Sequence, residues 1–259
     1  MDKLDRSFDG LAERFEKRIY GSLKGKIRRA ILHRDLFEHV PLSKQKMKII
    51  DIGAGLGQVC LELAVRGHHV IYNDISLEMM SKAKTHAQEL GLADKIEWNN
   101  FSYQQYLTQT SSKFDLIICH ALLEWLEYPQ HLLPTLVKHL HAGAYLSLCF
   151  YNPAGLVLRN LIFGNFKLAT TVFDMKPDVG SLTPRQSSSL EEVRRWLAEC
   201  NMEIISHTGI RVFSDYVMSK RGGNTLPEEI LKMELEYSQR EPFKQIGRYT
   251  HLICRVKSY

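Results

Sequence analysis

The chain has 259 residues, 44% of them hydrophobic and 24% charged, proportions of a globular protein that exclude a mainly disordered chain and a fibrous repeat. Its opening, MDKLDRSFDG, is charged, and no uncharged apolar stretch reaches the roughly 18 residues of a membrane helix, so neither a secretory leader nor a membrane span is expected. The net charge of +5 is unevenly placed: residues 14 to 34 hold eight Lys or Arg against one acid, Glu16, while the rest of the chain holds 26 basic and 28 acidic residues.

Residues 1–41 read as an N-terminal helical, basic extension. Its confined charge, with Tyr20 and two glycines inside the segment, points to a polyanion face, the bland alternative being a solvated amphipathic helix. From 44 to 150, short apolar runs alternate with amphipathic ones, the pattern of a parallel sheet covered by helices. Strands are expected at Lys48 to Ile52, His69 to Asn73, Lys95 to Asn99, Phe114 to Cys119 and Ala144 to Phe150, and helices at Gln58 to Arg66 and Leu77 to Gly91. The rhythm breaks over 151–186, which reads as an inserted lid or irregular region. Order returns at 187–259: Ser189 with Glu192 forms a capping box for a helix toward Cys200, and runs at Met202 to Phe213 and Tyr249 to Val256 flank a helix from Pro227 to Ser238. The whole is read as one domain, 1–259, of α/β class: a doubly wound, mostly parallel sheet whose last pair is open to being antiparallel. The five cysteines form no CxxC pair and most sit in apolar runs, which fits reduced core thiols in a cytoplasm. Histidines lack metal-site spacing, so no metal is expected.

The sharpest motif is KIIDIGAGLG, where an apolar strand delivers Asp51 and then Gly53, Ala54, Gly55 and Gly57 before a helical pattern begins. Glycines permit positive φ and close ligand approach, and a helix start turns N–H groups toward negative charge. Position 58 is Gln58, so the third glycine of the dinucleotide fingerprint is missing and a pyrophosphate ligand is disfavoured. Seventeen residues beyond Gly57, at the end of the second strand, stands Asp74. Doubly wound folds place an acid there to accept both ribose hydroxyls, so a nucleoside is the natural ligand.

The Asp51 strand, the glycine turn, Asp74 and FDLIICHALLEWL resemble the class I S-adenosylmethionine-dependent methyltransferases over about residues 45 to 155. Across the full length, RIYGSLKGKIRRAIL, CHALLEWL, CFYNPAGL, TGIRVFSDY and EPFKQIGRYTHL are similar to the bacterial tRNA 5-carboxymethoxyuridine methyltransferases. The resemblance implies a seven-stranded Rossmann-like sheet, S-adenosylmethionine as cofactor, and tRNA, at the anticodon region, as partner. It implies esterification of the carboxylate of the wobble nucleoside.

Carried over by residue, it implies that Gly53, Ala54 and Gly55 lie against the methionine part of the cofactor with Asp51 near its ammonium. Asp74 is expected on the ribose, Ser102 and Tyr103 around the adenine, Arg28 near the methionine carboxylate, and His120 where cofactor and substrate meet. A carboxylate nucleophile is ionised at neutral pH and needs no general base. What is needed is a set of cations or hydroxyls for the substrate carboxylate, for which Tyr20, Tyr151, Asn152, Arg211, Arg248 and Tyr249 are candidates; Arg211 reads equally well as a structural ion pair. Trp98, Trp125 and Trp196 are expected in the core. Two rival readings stay open: a methyltransferase for a free carboxylate or quinone precursor, and a noncatalytic RNA-binding module on the same scaffold.

Overall fold

The computed structural model describes residues 21–172, 188–217 and 225–258, together with residues 7, 9, 10, 12–15 and 223. Its elements in chain order are α1 (Ala12–Phe15), α2 (Leu23–His39), β1 (Lys48–Ile52), α3 (Gln58–Val65), β2 (His69–Asn73), α4 (Leu77–Glu89), β3 (Ile96–Asn99), α5 (Tyr103–Gln109) and β4 (Phe114–His120). These are followed by α6 (Leu132–Val137), β5 (Leu140–Tyr151), α7 (Pro153–Ile162), α8 (Phe166–Thr170), α9 (Leu190–Glu199), β6 (Met202–Ile210), α10 (Pro227–Tyr237) and β7 (Tyr249–Val256).

Seven strands form one sheet in the order β3-β2-β1-β4-β5-β7-β6, with β1 to β5 parallel and β7 antiparallel to both β5 and β6. The central strands are buried on both faces, as a parallel sheet requires. Ile50, Ile52, Ile117 and Cys119 pack with side chains of α5, α6 and α9, while Ile49, Leu116 and Ile118 pack with those of α3, α4 and the end of α2. Ile49, Ile50 and Ile52 are each 0% exposed, a burial that stabilises by about 1.5 to 3 kcal/mol per side chain. Local signals agree with these bounds. Ser76 caps α4 by accepting from the Met79 N–H, and both Ser102 with Gln105 and Ser189 with Glu192 close capping boxes.

Four strands differ in their bounds from the sequence expectation. β3 begins at Ile96, Lys95 closing a short 3-10 turn. β4 runs on to His120, which pairs with Cys149, and β5 extends from Leu140, paired with Phe114, to Tyr151, paired with Tyr249 of β7. β6 stops at Ile210, since Arg211 takes a left-handed φ of 59° that ends the strand. The region from 153 to 170, expected to be irregular, holds α7 and α8: Asn152 accepts from the Ala154 N–H and Pro153 occupies the first turn, where a proline is preorganised for a helix. α7 is pinned close by Gly155, where an added Cβ would meet the Gly247 carbonyl oxygen at 2.3 Å. The remainder of the expected lid, 173–186, lies outside the described residues.

Helix α2 packs on α10, β6 and β7, so the N-terminal element lies across the sheet near its antiparallel edge. None of the described helices is long and apolar enough to cross a membrane.

Candidate functional site

β1, β2 and β4 are parallel and adjacent, so their carboxyl ends open on one edge of the sheet. β1 is the strand on which the chain order reverses, the place where doubly wound sheets bind ligands. A pocket lies there. Its lining includes every residue expected to hold the cofactor: Arg28, Asp51, Gly53, Ala54, Gly55, Asp74, Ser102, Tyr103 and His120.

The glycine turn is held from beneath. The Gly53 and Ala54 N–H groups donate to the Asn73 carbonyl at 2.9 and 3.1 Å, and the Tyr72 hydroxyl donates to the Gly55 carbonyl at 2.7 Å. Gly53 and Gly55 take φ values of 70° and 56°, which side chains with a Cβ rarely adopt. Asp74 accepts from the Gly55 N–H through one oxygen and from the Ser76 N–H through the other, both at 2.8 Å. Burial nevertheless raises its pKa, against those two hydrogen bonds. Asp51 is 4% exposed and accepts from the Cys60 thiol at 3.4 Å. Burial pushes its carboxyl up to about 7; Asp74 adds to the rise, while the Cys60 hydrogen bond and Arg28 oppose it. Asp51 is thus raised into the neutral range, where a cation placed beside it favours the ionised form.

Ser102 lines the pocket while its hydroxyl is engaged in the capping box of α5. Arg28 comes from α2 and lies over the Tyr249 ring at 5.0 Å. α2 in fact supplies one wall, contributing Gly25, Arg29 and Leu32 as well. The basic N-terminal segment is thus partly spent inside the protein, with Arg28 at the pocket and Arg34 bonded to Asp35, while Lys24 and Lys26 remain exposed. Burial drives the His120 pKa well below 6.5, with His251 and Arg28 adding to the effect, so this imidazole is neutral.

The candidates for the substrate carboxylate divide. Tyr151 and Tyr249 line the pocket, packed edge to face at 5.5 Å. Arg248 stacks on the Tyr151 ring at 4.9 Å and keeps a buried Nη1 without a hydrogen-bond partner. Tyr20 lies outside the described residues. Two other candidates have structural partners. Arg211, like Arg248, is not among the pocket-lining residues, and its Nη2 donates to both Asp215 carboxylate oxygens at 2.5 Å, while its buried Nε keeps no hydrogen-bond partner. Asn152 points its amide at the Gln245 and Gly247 carbonyls, at 2.9 and 2.8 Å, and so ties the start of α7 to the approach of β7.

The sequence reading missed Glu124. It is 3% exposed, lines the pocket, leaves Oε2 without a partner, and is raised by burial to about 7. An acid inside the apolar run CHALLEWL was the available signal. Trp125, expected as core, is 8% exposed and also lines the pocket. Trp98 and Trp196 pack against the two main core clusters.

Residues 50–148 match the family model described as "Methyltransferase domain". The chain is 37% identical over 252 residues to the tRNA 5-carboxymethoxyuridine methyltransferase of Escherichia coli K12, covering 97% of this chain and 96% of the relative. It belongs to the tRNA 5-carboxymethoxyuridine methyltransferase family. Similarity to the ubiquinone biosynthesis O-methyltransferase of Dechloromonas aromatica is lower, 26% over 60% of this chain and 64% of that one. Among solved structures, the magnesium protoporphyrin IX methyltransferase of Synechocystis with bound SAH superposes with a TM-score of 0.62 at 18% identity, covering 97% and 96% of the two chains. That likeness carries the fold.

The ion pair that removes Arg211 from the site has a measurable consequence. Asp215 is 7% exposed at its side chain, and its other partner, Lys24 at 3.7 Å, is largely solvent-exposed. Arg211→Ala leaves a buried carboxylate poorly compensated, so urea denaturation should show a loss of about 3 kcal/mol. A loss below 0.5 kcal/mol, the ordinary range for a surface change, would return Arg211 to the list of free cations.

Proposed function

We propose that this protein transfers a methyl group from S-adenosylmethionine to the carboxylate of 5-carboxymethoxyuridine at the wobble position of tRNA, giving the methyl ester. The observation that carries the reading is the near-full-length identity to the E. coli enzyme of that name. One pocket holding the Asp51 strand end, the glycine turn, Asp74 and Arg28 supports it.

The cofactor supplies an activated methyl on a cationic sulfur. Held in the pocket, it would supply that methyl to the nucleophilic oxygen of the substrate carboxylate, its sulfur keeping the bonding electron pair. No proton is taken or given, so no general base is assigned. The chain's own residues align and desolvate. Asp74 would accept from the ribose hydroxyls, Arg28 would take the methionine carboxylate with its fork of donors, and Asp51 would face the ammonium. Ser102 and Tyr103 border the adenine through backbone and ring. Tyr151, with Arg248 stacked behind it, turns a hydroxyl and a positive field toward the substrate carboxylate at the pocket's other end. Holding the reacting atoms in line in a water-poor site is the source of the rate. Lys24 and Lys26, exposed on α2, attract the tRNA backbone.

Purified protein with S-adenosylmethionine should form a base-labile ester on tRNA bearing 5-carboxymethoxyuridine and none on tRNA with an unmodified wobble uridine. Ester formation on a small free carboxylate or quinone precursor, with none on tRNA, would favour the small-molecule reading.

The pH dependence separates binding from chemistry. Asp51 and Glu124 both rise to about 7, so below that pH each is mainly neutral and loses its attraction for a cationic cofactor. The Kd for S-adenosylmethionine should fall as pH rises from about 5.5 to 7, by up to about tenfold per unit for one ionisation, and level off above. At saturating cofactor, methyl transfer should stay flat from about pH 6 to 8.5, since His120 is neutral and the substrate carboxylate ionised throughout. A transfer rate that climbs tenfold per unit at saturation would contradict the base-free mechanism.

A further inference from the structure

Behind His120 a continuous row of buried polar side chains leads away from the pocket. His120 Nε2 lies 2.7 Å from Ser147 Oγ, Ser147 Oγ lies 2.9 Å from His251 Nε2, and His251 Nδ1 lies 2.7 Å from Asp35 Oδ2. Asp35 and Ser147 are 0% exposed and His251 is 1% exposed. The other Asp35 oxygen accepts from Arg34 Nε and Nη2, at 3.0 and 2.6 Å, and from Gln239 at 3.4 Å. Arg34 continues to the Leu235 carbonyl and the Ser238 hydroxyl at 2.7 and 2.9 Å. The row thus joins α2, β7, β5 and β4, ending on a residue that lines the cofactor pocket.

Methyl transfer to a carboxylate releases no proton, so the row has no proton to carry, and a buried polar chain of this length needs another use. Its charges already balance through Arg34 and Asp35. Burial acts to raise the Asp35 pKa, but the hydrogen bond from His251 and the Arg34 guanidinium hold it below the usual carboxylate range. Asp35 is therefore an acceptor only, and it takes the His251 Nδ1–H. With the Asp35 charge already met by the Arg34 guanidinium, the row needs no second proton on His251; its Nε2 then accepts the Ser147 O–H, and the Ser147 oxygen is left to accept from His120 Nε2–H.

We propose that Asp35, His251 and Ser147 are positioning residues that hold His120 as its Nε2–H tautomer, leaving Nδ1 as the acceptor for a donor group of the bound cofactor. The donor chemistry is that of the cofactor's ammonium end, since Asp74 serves the ribose. The opposite tautomer would present an N–H in this position, suited to an anion and wrong for an ammonium. The same row pins α2, so the tautomer and the position of Arg28 are set by one network. This inference rests on the pocket being the S-adenosylmethionine site.

Two readouts test it, one of them independent of any ligand. Nitrogen-15 NMR of the histidine rings in the unliganded protein should show His120 protonated at Nε2 and bare at Nδ1. Ser147→Ala should shift that ring toward a tautomer mixture and weaken S-adenosylmethionine binding by about threefold to tenfold, the effect of one hydrogen bond, with the rate at saturation little changed. Ser147→Thr, which keeps the hydroxyl, should restore both, and a thermal melt of each variant excludes unfolding as the cause. His120 carrying its proton at Nδ1 in the wild type, or a tautomer and affinity unmoved in a folded Ser147→Ala, overturns the proposal. Loss of folding in that variant is answered by the wild-type tautomer alone. If the wild type shows the expected tautomer but no S-adenosylmethionine affinity, the functional reading fails and the positioning of His120 stands.

Discussion

The carboxylate of Asp35, wholly buried against β7, is what fastens α2 to the sheet, and the pocket has its outer wall only because α2 is fastened. Removing a charge from water is costly unless it is paired and hydrogen-bonded on every side. Arg34, Gln239 and His251 between them meet both oxygens. Seven residues before Asp35 on the same helix stands Arg28, two turns away, so the docking that satisfies the acid also delivers the guanidinium to the pocket. A basic helix that might have been wholly a nucleic-acid face is therefore divided, its inner side structural and ligand-facing and its outer side carrying Lys24 and Lys26.

The remaining walls follow from parallel pairing. Register places Asp51 beside Tyr72 and Ile118, and the three strands end together, so Asp51, Asp74 and His120 emerge on one edge without any loop having to search for them. The electrostatic character follows in turn. Asp51 and Glu124 are both raised to about 7 by burial, and Asp74 is also raised, so three acids sit in a pocket that disfavours their charge. Such a site stores free energy that a cationic ligand releases, whereas an anionic ligand finds its attraction only around Arg28 and Arg248.

Much of this was legible in the chain. KIIDIGAGLG announces a strand and a turn because the apolar run and the glycines act locally, and Asp74 can be placed because strand spacing is regular. Ser189 and Glu192 announce their helix through a capping box that involves no distant residue. What stayed hidden depends on distant partners. The row from Asp35 to His120 spans 216 residues between Asp35 and His251 alone, and nothing in LHRDLF or RYTHLI marks these two side chains as neighbours. Arg211 and Asn152 were legible as unusual but not as structural, since Asp215 and the Gly247 carbonyl become their partners only after the chain turns back. α7 and α8 were obscured by prolines and glycines that, in place, cap the helix start or permit close approach to the β7 approach.

The central claim is that the carboxylate of a modified wobble uridine is the acceptor of the methyl group. Mass spectrometry of nucleosides from the tRNA of cells with and without the gene addresses it most directly. Deletion should replace the methyl ester of 5-carboxymethoxyuridine with the free acid, in unchanged total amount, and the wild-type gene should restore the ester. An ester level that does not change on deletion, in cells that make the modified nucleoside, would contradict it.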